Sequence, residues 1–232
     1  LTIAPSSSIQ LLSAGAVSPG LVKVIEAFRR ECGADVEVIF ATAPEIRRKI
    51  DGAESFAVVI APIDLLGDLI KDGKVRAEPI NIGRIGVGVM VRQGAPLPDI
   101  AGVDEFIQSL RSADSVVYNQ ASTGVYLEGL FQRLGVAALV EAKRTRYPDF
   151  AAVRDHVSRG HGSEIGFGAT TVIVENSSKG IRFVGPLPAE LQNYTTYAAA
   201  AVRQNGDDEA RRLLAYLGSP AAKVIFAAAG IA

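Results

Sequence analysis

The chain has 232 residues, of which 48% are hydrophobic and 21% charged, and its net charge is -1. That length suits one large domain or two modest α/β lobes, and the composition excludes wholesale disorder. The near-neutral charge excludes an electrostatic footprint for nucleic acid or an anionic membrane.

Residues 9–12 read as a short buried strand, followed by the small-residue loop Ser13-Ala14-Gly15-Ala16-Val17. Ser18 then reads as an N-cap and Pro19 as the first residue of a helix. Leu21, Val24, Ile25 and Phe28 share one face of that helix, and Gly33 stops it. Residues 36–40 form the next predicted strand. Thr42 and Glu45 have capping-box spacing ahead of Ile46 and Ile50. Residues 56–60 are a continuous apolar run, as in a parallel strand buried on both faces. Asp64 is expected to cap a helix carrying Leu65, Leu66, Leu69 and Ile70.

This βαβαβα order implies a parallel sheet with right-handed crossovers. Ligands in such sheets bind at the carboxyl ends of the strands, where Ser13, Thr42 and Pro62 fall. The pattern breaks at Gly83, where Ile85, Val87, Val89 and Val91 alternate with Gly86, Gly88 and Met90. A second βα series follows, with helices over 103–110 and from about 124, strands over 115–118, 165–168 and 181–184, and a further helix marked by Phe150, Val153 and Val157. A late strand over 194–202 and two helices finish the chain, the last starting at Ser219-Pro220 with Val224, Ile225 and Ala228 inward. The fold class is therefore α/β with two lobes, each a mostly parallel sheet flanked by helices. Lobe 1 comprises 1–83 plus 197–232 and lobe 2 comprises 84–196.

Catalytic chemistry has little to stand on. Ser6, Ser7, Ser8, Ser13, Ser122 and Cys32 are the possible nucleophiles. Each would need a neighbouring base, and the only histidines are His156, inside a predicted helix, and His161, in a glycine-rich turn. No nucleophile elbow, phosphate-binding glycine loop or zinc-ligand spacing occurs. Cys32 is the single cysteine, which rules out an intrachain disulfide, and it reads as a structural thiol. No cofactor, metal or enzymatic activity is expected. No apolar run reaches the ~18 residues of a membrane span. No basic stretch and apolar run mark a leader at the start, and the chain begins at Leu1, as a processed or trimmed chain would.

Anion holding has more support. The first N–H groups of a helix lack internal partners and carry roughly half a positive charge from the macrodipole. Small residues ahead of the helix let an oxyanion approach them, and a hydroxyl adds a donor. Ser13, Thr42-Ala43 and Ser122-Thr123-Gly124 all fit, although ordinary capping uses the same residue types. Arg84, beside the break between the two series, could clamp a carboxylate or simply form a surface ion pair.

The order of these segments resembles the solute-binding proteins of bacterial ABC transporters, in the molybdate-binding-like branch with the type II periplasmic-binding fold. The resemblance rests on Ser13-Ala14-Gly15-Ala16-Val17, Phe40-Ala41-Thr42-Ala43, Val58-Val59-Ile60-Ala61-Pro62, Gly86-Val87-Gly88-Val89 with Arg92, Ser122-Thr123-Gly124-Val125-Tyr126, Glu164-Ile165-Gly166-Phe167, and Gly185-Pro186-Leu187-Pro188 through Tyr194. It implies a periplasmic, monomeric receptor that closes on a small anion in an interlobe cleft and delivers it to a membrane permease. It also implies that Ser13, Thr42, Thr123 and the backbone near Phe150 hold the anion. The family's binding tyrosine is not matched, because Gly168 and Ala169 stand in its place. With Arg84, that departure favours a roomier site and an organic carboxylate over molybdate. The effector-binding module of a transcriptional regulator, which can share this fold, is the competing reading.

Overall fold

Alternation of buried apolar runs with amphipathic segments builds the first part of the chain. In the computed structural model, which describes residues 8–203 and 208–232, β1 is Ile9–Ala14, α1 Ser18–Cys32, β2 Val36–Ala41, α2 Ala43–Asp51, β3 Val58–Pro62 and α3 Ile63–Lys71. β4 follows at Ile80–Arg92. The next elements are α4 Val103–Ser112, β5 Ser115–Asn119, α5 Ser122–Arg133, α6 Ala137–Glu141, β6 Arg144–Tyr147, α7 Phe150–Arg159, β7 Glu164–Ala169, α8 Thr170–Glu175 and β8 Ile181–Pro186. β9 at Tyr194–Ala201, α9 at Asp208–Leu217 and α10 at Pro220–Ala228 complete the chain. Ser6 and Ser7 lie outside the described residues.

The chain divides into two units, Leu1–Arg84 with Thr195–Ala232, and Ile85–Tyr194. In the first unit β1 pairs in parallel with both β2 and β3, and β9 adds to β3 antiparallel. Every residue of β3 is buried, as its unbroken apolar run requires. α1 buries Leu21, Val24, Ile25 and Phe28, the face its periodicity marked out, and Gly33 ends it in the left-handed region at φ 67. α1 packs on α10 so closely that a Cβ on Gly20 would lie 2.8 Å from the Phe226 ring. Phe28 meets Tyr216 of α9 edge-on at 5.2 Å.

Three local expectations in this unit change. Ser18 is not the N-cap, because a 3-10 turn over Gly15–Val17 leads into α1 and puts the cap at Val17. Asp64 sits inside the first turn of α3, whose cap is Pro62, so its carboxylate meets the positive helix end without capping it. α10 buries Ala222 and Phe226, whereas Val224 is 70% exposed and Ala228 is also exposed. An alanine-rich helix presents little contrast between its faces, so its periodicity could not choose one. Phe226→Ala is expected to cost about 3 kcal/mol, read from urea unfolding followed by circular dichroism.

In the second unit β5 pairs in parallel with β6 and β7, and β4 lies antiparallel to β7 and β8. Tyr118, Phe131, Phe167 and Phe106 form a continuous chain of tilted and edge-on ring contacts through its core. The glycine alternation of β4 has a packing cause. The Gln192 side chain lies 3.2 Å from where a Cβ on Gly86 would be, and it accepts from the Val87 N–H while donating to the Val87 carbonyl. Elements α6, β6 and α8 have no counterpart in the sequence reading. β6 is Arg-Thr-Arg-Tyr, half-buried throughout, and its polar side chains hide it. α8 is rich in β-branched residues, which favour strands when isolated.

Candidate functional site

Each unit presents the carboxyl ends of its parallel strands along one edge. In the first unit the β1–β2 register pairs Ala14 with Ala41, and β3 ends beside them at Pro62. The chain leaves these strands through Ala14-Gly15, Thr42-Ala43 and Pro62-Ile63. Phe40 and Ile63 are exposed large hydrophobic side chains at this edge.

The structure separates loops that look equivalent in sequence. β1 extends two residues beyond expectation, so Ser13 is a strand residue, fully buried, with its hydroxyl donating to the Ala14 carbonyl at 3.2 Å. The open position is Gly15, where a Cβ would meet nothing within 4 Å. At α2 the expected capping box forms. The Thr42 N–H and hydroxyl both donate to the Glu45 carboxylate at 2.9 Å, and Pro44 removes one further N–H from the helix end. The backbone bond from Thr42 is the main reason the Glu45 carboxyl is held below its usual range. The Thr42 donors therefore already hold a carboxylate belonging to the chain itself.

Tyr197 was not among the sequence candidates for the site. It pairs with Pro62 across the β3–β9 ladder, which brings it to the same edge, and it is 5% exposed. Antiparallel return of a late strand to β3 leaves no local signal in the sequence. Burial, partly offset by a hydrogen bond from Thr195, pushes its hydroxyl up to about 12. The neutral phenol is thus favoured by folding. That stabilisation is complete below about pH 10 and is lost as pH rises toward 12. Tyr197→Phe is expected to remove the highest-pH step in the ultraviolet tyrosinate titration.

In the second unit β5 ends at Asn119, β6 at Tyr147 and β7 at Ala169, again along one edge. α5 starts there without a side-chain cap; its N-cap is Ala121, whose N–H donates to the Asn119 side chain at 3.1 Å. The N–H groups of Ser122, Thr123 and Gly124 open this 12-residue helix, and the Ser122 and Thr123 side chains are half-buried. α7 differs, because Asp149 caps it by accepting from the Ala152 N–H, and Phe150 is its first residue. The Phe150 ring lies 2.7 Å from where a Cβ on Gly168 would stand. The expectation of extra room at Gly168 is corrected accordingly: Phe150 fills that space.

Arg84 is exposed, and its backbone exchanges hydrogen bonds with Ala232, from its N–H at 2.6 Å and to its carbonyl at 3.2 Å. His156 lies in α7 with Nδ1 2.9 Å from the Tyr147 hydroxyl, and His161 is exposed in a turn. Cys32 is half-buried at the end of α1. Among the described residues no three His, Cys, Asp or Glu side chains converge as a metal site would need. No helix there is long and apolar enough to cross a membrane.

These edges, with donor-rich turns at the ends of parallel strands, define a small-ligand-binding α/β fold. The chain belongs to the bacterial extracellular solute-binding protein family, whose match spans residues 9–232. It is 32% identical over 234 aligned positions to a protein named aconitate isomerase from Pseudomonas sp, covering 97% of this chain and 88% of that one. Among solved structures it is similar to the periplasmic molybdate-binding protein of Azotobacter vinelandii, with TM-score 0.80 and 14% identity, over 97% of this chain and 99% of that one. It is also similar to PEB3 bound to L-phospholactate, with TM-score 0.73 and 16% identity, over 96% of this chain and 98% of that one. These two structural likenesses bear on the fold, which is that of periplasmic binding proteins.

Proposed function

We propose that the chain is a periplasmic receptor that captures a small organic carboxylate and passes it to the membrane permease of an ABC transporter. The observation that carries this reading is the start of α5. There a long helix offers Ser122, Thr123 and Gly124 N–H groups with no side-chain cap, at the edge where such folds take ligands. The family is one of solute binders. Carboxylate is favoured over a compact oxyanion because the relative at 32% identity is named for aconitate.

The receptor works without chemistry of its own in this reading; the anion-accepting groups are the α5 backbone donors and the Thr123 hydroxyl in the second unit and, in the first unit, the open turn at Gly15. A calorimetric panel of cis- and trans-aconitate, citrate, succinate, molybdate and sulfate tests it. Saturable binding of a carboxylate, weakened roughly tenfold by Thr123→Ala, is the expected result for one lost donor to a charged ligand. Tight molybdate binding that carboxylates do not displace would overturn the ligand class.

A second reading follows from the same relative. Aconitate held at this site would be interconverted between its isomers. Proton NMR of cis-aconitate incubated with catalytic amounts of protein distinguishes the two readings. An unchanged spectrum with saturable binding supports the receptor, and accumulation of the trans isomer supports the isomerase.

A further inference from the structure

Asn119 is the last residue of β5 and lies against the start of α5. Its carbonyl oxygen stands 1.7 Å from where a Cβ on Gly124 would be, so the first turn of the helix rests on it. Its side chain is held at the same place, because Oδ1 accepts from the Ala121 N–H at 3.1 Å. That bond decides how the amide is turned. The oxygen faces the Ala121 N–H, and Nδ2 carries its two protons on the other side.

Nδ2 has no acceptor among the described residues, although Asn119 is only 9% exposed. A mostly buried amide donor gains from an acceptor. Nδ2 is nonetheless not shut in. The side-chain atoms that are both unpartnered and sealed are Arg92 Nε, Ser115 Oγ, Arg146 Nε and Glu164 Oε2, and Asn119 Nδ2 is not among them. An acceptor arriving from solution therefore reaches it. Other strand-end donors are engaged inside the chain, the Ser13 hydroxyl by a carbonyl and the Thr42 donors by Glu45. The α5 start lacks such a carboxylate. Its first turn holds no acidic residue, and Glu128, farther along, is held by Arg144 and Arg146 at 2.7 and 3.0 Å.

We propose that Asn119 is a ligand-binding residue, its Nδ2 donating to one oxygen of the captured carboxylate while the uncapped α5 N–H groups take the other. This deepens the receptor reading above and rests on it. A carboxylate is acceptor-only and offers two oxygens, so it matches a backbone donor set with a side-chain donor beside it. The donor is fixed before the ligand arrives, because Oδ1 is tied to Ala121 and the side chain is packed. Little side-chain freedom is lost on binding as a result. Recognition at this end of the ligand then uses neutral donors, with no counter-ion from the chain.

The test pairs NMR of the whole chain with calorimetry, using cis-aconitate and molybdate as probes. The Asn119 side-chain amide signals are identified by their loss in Asn119→Asp. They are expected to move downfield saturably with cis-aconitate, together with the Ser122 and Thr123 amides. Asn119→Asp keeps an oxygen for the Ala121 N–H, so its circular dichroism and urea midpoint should stay close to wild type. It replaces the free donor with a like charge and should weaken cis-aconitate at least roughly a hundredfold. A role confined to holding the Ala121 N–H predicts side-chain amide protons that do not move and a variant that binds as wild type does. Either result, with cis-aconitate still bound by wild type, would overturn this assignment and leave the receptor reading standing. Molybdate binding that moves the same protons, with no response to cis-aconitate, would overturn the carboxylate and keep Asn119 as a donor. No binding of either probe would overturn both.

Discussion

Gly124→Ala is expected to unfold or severely loosen the second unit, at a cost of about 4–5 kcal/mol. A Cβ at this position would lie 1.7 Å from the Asn119 carbonyl oxygen and 3.1 Å from the Tyr118 ring. The first of these is a backbone atom at the end of β5, so it cannot rotate aside as a side chain would. Relief requires α5 to lift from β5, which strips contacts from Leu127, Leu130 and Phe131, all buried in the core of that unit. The same shift would misplace the uncapped N–H groups of Ser122 and Thr123. Urea unfolding by circular dichroism is the measurement, since the chain has no tryptophan. A wild-type midpoint in Gly124→Ala would show that the turn between β5 and α5 is not the rigid element described above.

Gly15→Asp is expected to do the opposite, sparing the fold and abolishing anion binding. The space beside Gly15 is open, with nothing within 4 Å of an added Cβ, and Gly15 is not among the glycines with positive φ. The substitution therefore brings neither a clash nor backbone strain. It does bring a carboxylate to the end of β1, at the turn proposed above as anion-accepting in the first unit. Two like charges about 4 Å apart at a protein surface repel by about 4 kcal/mol, which corresponds to a loss of at least roughly a hundredfold in affinity. Calorimetry against the best-binding carboxylate reads the loss, and circular dichroism checks the fold. Retained affinity in Gly15→Asp would move the ligand away from the β1 turn.

Much of the framework was legible locally. The α1 face, the unbroken apolar run of β3 and the Thr42–Glu45 capping box depend on near neighbours in the chain, so spacing alone identified them. The order of turns was enough to suggest a solute-binding family, which the match over residues 9–232 shows. Where side chains gave no contrast, as in alanine-rich α10, or where they contradicted the element, as in polar β6 and β-branched α8, local pattern failed. Tertiary packing supplied what propensity did not.

The candidate site divides in the same way. The amino-acid sequence by itself determined that small and hydroxyl residues stand at the ends of parallel strands, because strand, turn and helix start are contiguous in the chain. Only the tertiary structure decided what each of them does. It buried Ser13, engaged Thr42 with Glu45, left the start of α5 uncapped, set Phe150 against Gly168 and brought Tyr197 beside Pro62. The last two depend on contacts between residues 18 and more than a hundred positions apart. Burial and hydrogen bonding are properties of the packed chain, so the chemical availability of a side chain is settled by its neighbours in space.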